Sequence, residues 1–302
     1  PDVNPCQNFY GYVCSTVMDS FQLREDRSSH DFAFQDSSER LLKKKMDFFA
    51  GLAKRKTRSE REEGLKNYYL ACMDEKDAAS GEKAEVKRIK GIIDGMKSRD
   101  DLYAWVEKSY LSDETSPLDW GAVSNMDAPL KSDLYLVTDF TTLPEKSFYK
   151  KANVMADFKK LAVRFYKAIG EKQPEKQAQV LLKFESSLAE PTPAPEEFRQ
   201  IVNNRSFTTR QEILKKYPAL RLESFLKEIP EQVVIRDWAP QTYQNMNDFL
   251  AKADLTDLKS VFLFHSLYPI LDDGYPGFYK QRFEFNRKHF GGPNKRPPRQ
   301  ER

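Results

Sequence analysis

Between Val154 and Ile169 the apolar residues fall at Val154, Phe158, Leu161, Ala162, Phe165 and Ile169. Steps of three and four lay such a series along one side of an α-helix. The same arithmetic recurs along the chain. It predicts helices over Asp36 to Lys54 (Leu41, Leu42, Met46, Phe49, Leu52), over Glu82 to Met96 (Val86, Ile89, Ile92, Ile93) and over Asp101 to Leu111 (Leu102, Trp105, Val106). A further helix passes through Val180, Leu181, Phe184 and Leu188 and stops at Pro191, Pro193 and Pro195, the clearest internal linker. Leu255 to Leu271 reads as a strongly apolar helix and Phe278 to Phe290 as an aromatic-rich one.

Local signals fix several helix starts. Ser59-Glu60-Arg61-Glu62 and Thr209-Arg210-Gln211-Glu212 are capping boxes. The first opens a helix with the stripe Leu65, Tyr68, Tyr69, Cys72 and Met73, a spacing that turns Cys72 inward. Short helices are also predicted around Leu222, Phe225 and Leu226 and from Pro240 to Ala253. From Ser112 to Thr142 the period changes: Leu118 to Val123 and Leu134 to Val137 read as short strands around a polar turn, and Gln232 to Ile235 as another. The fold class is therefore mainly α, with a few short strands. Gly291 to Arg302 has almost no apolar content and reads as a mobile basic tail.

The 302 residues carry 49 Lys+Arg against 46 Asp+Glu, a net charge of +3. No basic stripe interleaved with aromatics stands out, so no nucleic-acid partner is expected. No apolar run approaches the roughly 20 residues of a membrane span. The start, Pro1-Asp2-Val3, has no signal-peptide character, and a proline in first place reads as a processed or trimmed chain.

Two of the three cysteines, Cys6 and Cys14, bracket an aromatic cluster at the N-terminus; the third is Cys72. An odd count allows either three free buried thiols or an oxidised protein in which at least one cysteine pairs outside this chain.

Chemistry-bearing motifs are scarce. His30, His265 and His289 form no H-x-x-x-H pair, so the helical zinc-peptidase site is absent. His265 reads as a core or interface residue and His289 as a solvated one. No G-x-S-x-G, Walker loop, G-x-G-x-x-G or C-x-x-C occurs. Asp272-Asp273-Gly274 could be a carboxylate pair but reads better as a turn, and Asn204-Arg205-Ser206 is a single glycosylation sequon. No catalytic residue is predicted.

The segment Asn4-Pro5-Cys6-Gln7-Asn8-Phe9-Tyr10-Gly11-Tyr12-Val13-Cys14 resembles the N-terminal signature of the neprilysin-type zinc metallopeptidases, the M13 family. Further matches follow in the family's order: Tyr68 to Asp74, Leu143 to Tyr149, Phe184 to Ala189, Val233 to Leu271 and Arg296 to Arg302. The resemblance covers essentially the whole chain. It implies a multi-helix cap domain that, with a thermolysin-like zinc domain, encloses a chamber for small peptides. The H-E-x-x-H, the downstream glutamate ligand and the N-A-x-[FY] motif would lie beyond Arg302. No catalytic or metal residue is carried over; zinc would belong to the intact protein and not to this chain.

The resemblance also implies that Cys6, Cys14 and Cys72 are half-cystines whose partners lie outside this chain, and hence an extracytoplasmic location. Family members often place an arginine after the second cysteine to hold a substrate carboxylate. Here the closest alignment puts Ser29 there, with Arg27 nearby as the substrate-binding candidate. The implied organisation is an anchor over residues 1–35 that packs on the catalytic domain, a helical cap over 36–290 with a sub-boundary near 190–196, and a tail over 291–302. The leading reading is the noncatalytic portion of a zinc peptidase, its partners the C-terminal catalytic domain and peptide substrates. A naturally short binding or scaffold protein is the alternative, and a generic helical interaction module the third.

Overall fold

The computed structural model describes residues 3–109, 118–138, 140–203 and 207–302. The chain divides into two compact units: Pro1–Ala78 with Asn286–Arg302, and Ala79–Phe285. These limits differ from divisions at 35/36 and 290/291. Residues 190–196, with their three prolines, lie inside the second unit.

In the first unit, helix α1 (Phe9–Ser20) is capped by Asn8, whose Oδ1 accepts from the Gly11 N–H at 2.8 Å. Helices α2 (Phe34–Lys54) and α3 (Glu60–Met73) pack together, with Phe49 stacked on Tyr69 at 5.4 Å. Ser59 caps α3 as expected, but Glu62 does not return to Ser59: its carboxylate accepts from the Arg58 N–H at 2.8 Å and from Arg55 at 2.8 Å. Residues 291–302, expected as a mobile tail, fold against their own unit. The Lys295 N–H donates to the Glu25 carbonyl at 2.9 Å, and Arg299–Glu301 forms a 3-10 turn.

The second unit holds the larger core. Helix α4 (Glu75–Gly95) begins seven residues before the expected Glu82 because the Asp74 carboxylate accepts from the Lys76 and Asp77 N–H groups at 2.9 and 3.0 Å. Helix α5 (Arg99–Ser109) follows; Tyr110 and Leu111, expected to extend it, lie outside the described residues. Strands β1 (Leu118–Ser124) and β2 (Ser132–Thr138) form an antiparallel hairpin. The Tyr135 ring lies over its register partner Gly121, where any side chain would collide with it.

Next come α6 (Lys146–Tyr149), α7 (Ala152–Ala168), α8 (Pro174–Ala189) and α9 (Pro195–Asn203). After β3 (Phe207–Thr208) come α10 (Arg210–Lys216), closed by the Thr209–Glu212 capping box, and α11 (Glu223–Lys227). Strand β4 (Ile235–Arg236) lies between β2, to which it is parallel, and β3, to which it is antiparallel, giving the order β1-β2-β4-β3.

Helices α12 (Pro240–Lys252), α13 (Leu255–Leu267) and α14 (Pro276–Phe290) complete the chain. From Ser260 to Leu267 every residue of α13 is buried, so this part of the helix is enclosed on all sides. Phe264 meets Phe165 and Tyr268 at 4.7 Å each, while Phe262 meets Phe140 at 5.4 Å and Trp105 at 5.9 Å. The helix expected to reach Leu271 tightens into a 3-10 turn at Tyr268–Ile270, where Pro269 has no N–H to continue the ladder.

Candidate docking surface and the predicted site residues

The first unit has an unusual distribution of apolar residues. Neither α1 nor α3 buries any residue, and Leu52 alone is buried in α2. Phe34 is 79% exposed, Tyr68 72%, Phe9 69% and Tyr10 65%, and Tyr12, Val13, Val17, Met18, Leu41 and Phe48 are exposed as well. The described residues of the unit leave these side chains uncovered. Apolar exposure on this scale marks a candidate interaction surface.

The cysteines belong to the same unit. Cys6 and Cys72 are exposed, Cys14 is half-buried, and all are free thiols. The inward Cys72 expected from the α3 stripe is thus corrected. That stripe faces an open groove of about 290 Å³, lined by Leu42, Met46, Phe49, Tyr69 and the 299–302 segment, so its sulfur stays at the surface. The Arg299 Nε–H donates to the Cys72 carbonyl at 2.5 Å.

Arg27 sits in a charge cluster. Its Nη2 donates to Glu301 Oε2 at 2.7 Å, while Arg24 Nη2 donates to Glu301 Oε1 at 2.7 Å. Arg27 also reaches Glu39 at 3.3 Å and Asp26 at 3.2 Å. Burial works to raise the Glu301 carboxyl, but hydrogen bonds from Arg27 and Arg24 outweigh it and hold it below the usual carboxylate range. The hydrogen bond to Glu301, followed by that to Asp26, raises the Arg24 guanidinium. The guanidinium offered by the sequence for a substrate carboxylate is engaged by this chain's own carboxylates.

His265 is buried as expected, with Nε2 3.2 Å from Glu185 Oε1. Glu185 has no solvent exposure; the sequence placed it within the Phe184 to Ala189 segment of the family resemblance but assigned it no role. Its Oε2 accepts from Tyr149 Oη at 2.5 Å and the Thr142 N–H at 2.9 Å, and its Oε1 accepts from Thr142 Oγ1 at 2.8 Å. Burial first, and the neighbouring Glu185 second, push the Tyr149 phenol far above its ordinary value. His30 Nε2 is 2.8 Å from Asp36 Oδ1, and the ring packs between Phe21 and Phe32. His289 is half-buried, with Phe290 6.3 Å away.

Asp272-Asp273-Gly274 is a turn, its Asp272 and Gly274 N–H groups held by Glu82 at 2.7 and 3.0 Å. Asn204-Arg205-Ser206 lies outside the described residues. Among the described residues no group of three His, Cys, Asp or Glu could hold a metal ion. Among the described residues no helix is long and apolar enough to cross a membrane.

The model for the N-terminal part of peptidase family M13 matches residues 5–302. The chain belongs to peptidase family M13. A search of curated proteins finds no significant match. Among solved structures, this M13 chain resembles the Mycobacterium tuberculosis zinc metalloprotease Zmp1 in complex with an inhibitor, with a TM-score of 0.80 at 14% identity. The match covers 99% of this chain and 47% of that one. PepO from Lactobacillus rhamnosis gives 0.77 at 13% identity, covering 99% and 48%. Identities this low show the fold alone, that of the neprilysin-like N-terminal helical domain. The M13 chain spans about half the length of these solved relatives.

Proposed function

We propose that this chain is the noncatalytic helical portion of a zinc metallopeptidase that hydrolyses small peptides, its helices forming one side of the substrate chamber. The observation that supports this most directly is the uncovered apolar surface of α1, α2 and α3, with Phe9, Phe34 and Tyr68 each more than two-thirds exposed. A catalytic domain docked there would cover it. Among the described residues no group fits a zinc site; on this reading zinc would be held by residues outside this sequence, and no catalytic step is assigned to this chain. On this reading Cys6, Cys14 and Cys72 are half-cystines, and the protein works outside the cytoplasm, where disulfides persist. Their exposed or half-exposed sulfurs suit pairing with another domain.

The test compares the 302-residue chain with the same chain extended through the downstream coding sequence. The short chain is expected to hold no stoichiometric zinc and to leave a quenched fluorogenic peptide intact. The extended protein is expected to do the opposite, and to show disulfide-linked peptides containing the three cysteines in non-reducing maps. About one tightly held zinc per short chain would overturn the reading.

A further inference from the structure

The second unit carries a groove of about 730 Å³ between α8 and α12. Its apolar floor is Val180, Phe184, Phe249 and Ala253, with the Phe184 and Phe249 rings 4.1 Å apart. Its rim is charged and unbalanced. Lys252 is matched by Asp248 at 2.7 Å, and Gln244 also donates to that carboxylate at 2.7 Å. Lys176 and Lys183, on one side of α8, make no hydrogen bond or ion pair among the described residues. The remaining acid, Asp257, lies in the field of both Lys176 and Lys183, so three lysines face two carboxylates around the groove and one positive charge is left in excess.

We propose that this groove binds a short acidic peptide segment, with apolar side chains on Val180 and Phe249 and the flanking carboxylates on Lys176 and Lys183. The spacing suits such an occupant. Seven helical residues separate the two lysines by about 10.5 Å, which is roughly three residues of extended chain. Side chains four residues apart share one face of an extended chain and lie about 13 Å apart, so two such carboxylates, with one apolar side chain between them on the same face, fall within reach of the two flexible lysine side chains. The apolar floor supplies contact area, and the lysines select the sign of charge. This assignment uses residues of the second unit only and does not depend on the peptidase reading.

The experiment is fluorescence anisotropy with the whole chain and a fluorescein-labelled peptide of sequence DEFLED. Saturable binding is expected, weakening at least tenfold in the K176E/K183E double variant and severalfold when salt is raised by a factor of ten. The peptide KKFLKK, and DEALED without the aromatic side chain, are expected to bind at least tenfold more weakly. Circular dichroism and the unfolding midpoint of the variant confirm that both proteins are folded. Absence of saturation up to about 1 mM peptide, or equal binding by the double variant, overturns the proposal. So does capture of the chain by anionic phosphatidylserine vesicles without peptide binding, or a dimer that the double variant dissociates.

Discussion

The hydroxyl of Tyr149 donates a 2.5 Å hydrogen bond to Glu185, a carboxylate with no solvent exposure in the larger unit. The same carboxylate receives both Thr142 donors and lies against His265, so it ties the segment before α6 to α8 and α13. Removing it leaves several buried polar groups without a partner. E185A is expected to cost about 3–5 kcal/mol, and E185Q, which keeps volume and one acceptor, about 1–3 kcal/mol. Urea unfolding measures both; a loss below about 1 kcal/mol for E185A would show the network to be dispensable.

The stripe on α7 was legible because a buried face must repeat at helical spacing, and α13 because its apolar residues run together; both lie in the core. Glu185 gave no periodic signal: it lies in a segment that carries the family resemblance, as does Tyr149, but within one helix it is a single charged residue, and its partners Thr142, Tyr149 and His265 are distant in sequence. Cys72 failed for the opposite reason. Periodicity showed which face of α3 is apolar, but it could not show that this face meets an open groove. Spacing identifies faces; what covers them is decided by the rest of the assembly.

Alkaline pH should weaken the larger unit. Burial is the first cause that raises the phenols of Tyr149, Tyr166, Tyr243 and Tyr268 above their usual value. A folded-state pKa above the unfolded one contributes stability that is complete below the unfolded value, about 10, and is lost as pH rises through it. Each phenol therefore adds a downward slope of about 1.4 kcal/mol per pH unit above that point. Y243F, which also loses the 2.8 Å bond to the Leu136 carbonyl, is expected to flatten the slope by one such increment. A urea midpoint independent of pH from about 8 to 11 would exclude this account.

Glu301 should hold the last residues of the chain in place. Its side chain is 9% exposed and bridges Arg24 and Arg27. E301Q is expected to raise amide hydrogen exchange across residues 295–302 while leaving α7 and α13 protected. In the unmodified chain the same exchange should rise as pH falls through the lowered Glu301 pKa, because a depressed carboxyl stabilises only while it is ionised. Unchanged exchange in E301Q would mean that the other contacts of this segment suffice.

Phe34 and Tyr68 are 79% and 72% exposed, so F34S and Y68S remove little packing. Each is expected to change stability by no more than about 0.5 kcal/mol. Together they should reduce binding of an apolar dye and any concentration-dependent self-association seen by light scattering. Destabilisation well beyond that range would mean the side chains are packed in solution and the surface is not open.

Arg236 and Asp133 form an ion pair with 2% and 1% of their side chains exposed, on the paired strands β4 and β2. Arg236 Nε donates to Asp133 Oδ2 at 2.8 Å, Asn125 donates to Oδ1 at 2.8 Å, and the Phe207 ring lies 4.3 Å from the guanidinium. Arg236 Nη1 is buried without a hydrogen bond among the described residues. Desolvation of both charges offsets much of their attraction, so the pair contributes little net stability even though either charge alone is costly. R236M and D133L are each expected to cost about 3–5 kcal/mol, because each strands a buried charge. The double variant, with two apolar side chains in place of the pair, is expected to recover most of that loss. A double-mutant cycle on urea unfolding reads the difference directly. If the double variant loses the sum of the two single losses, the charges act independently and the pair does not define the β2–β4 register.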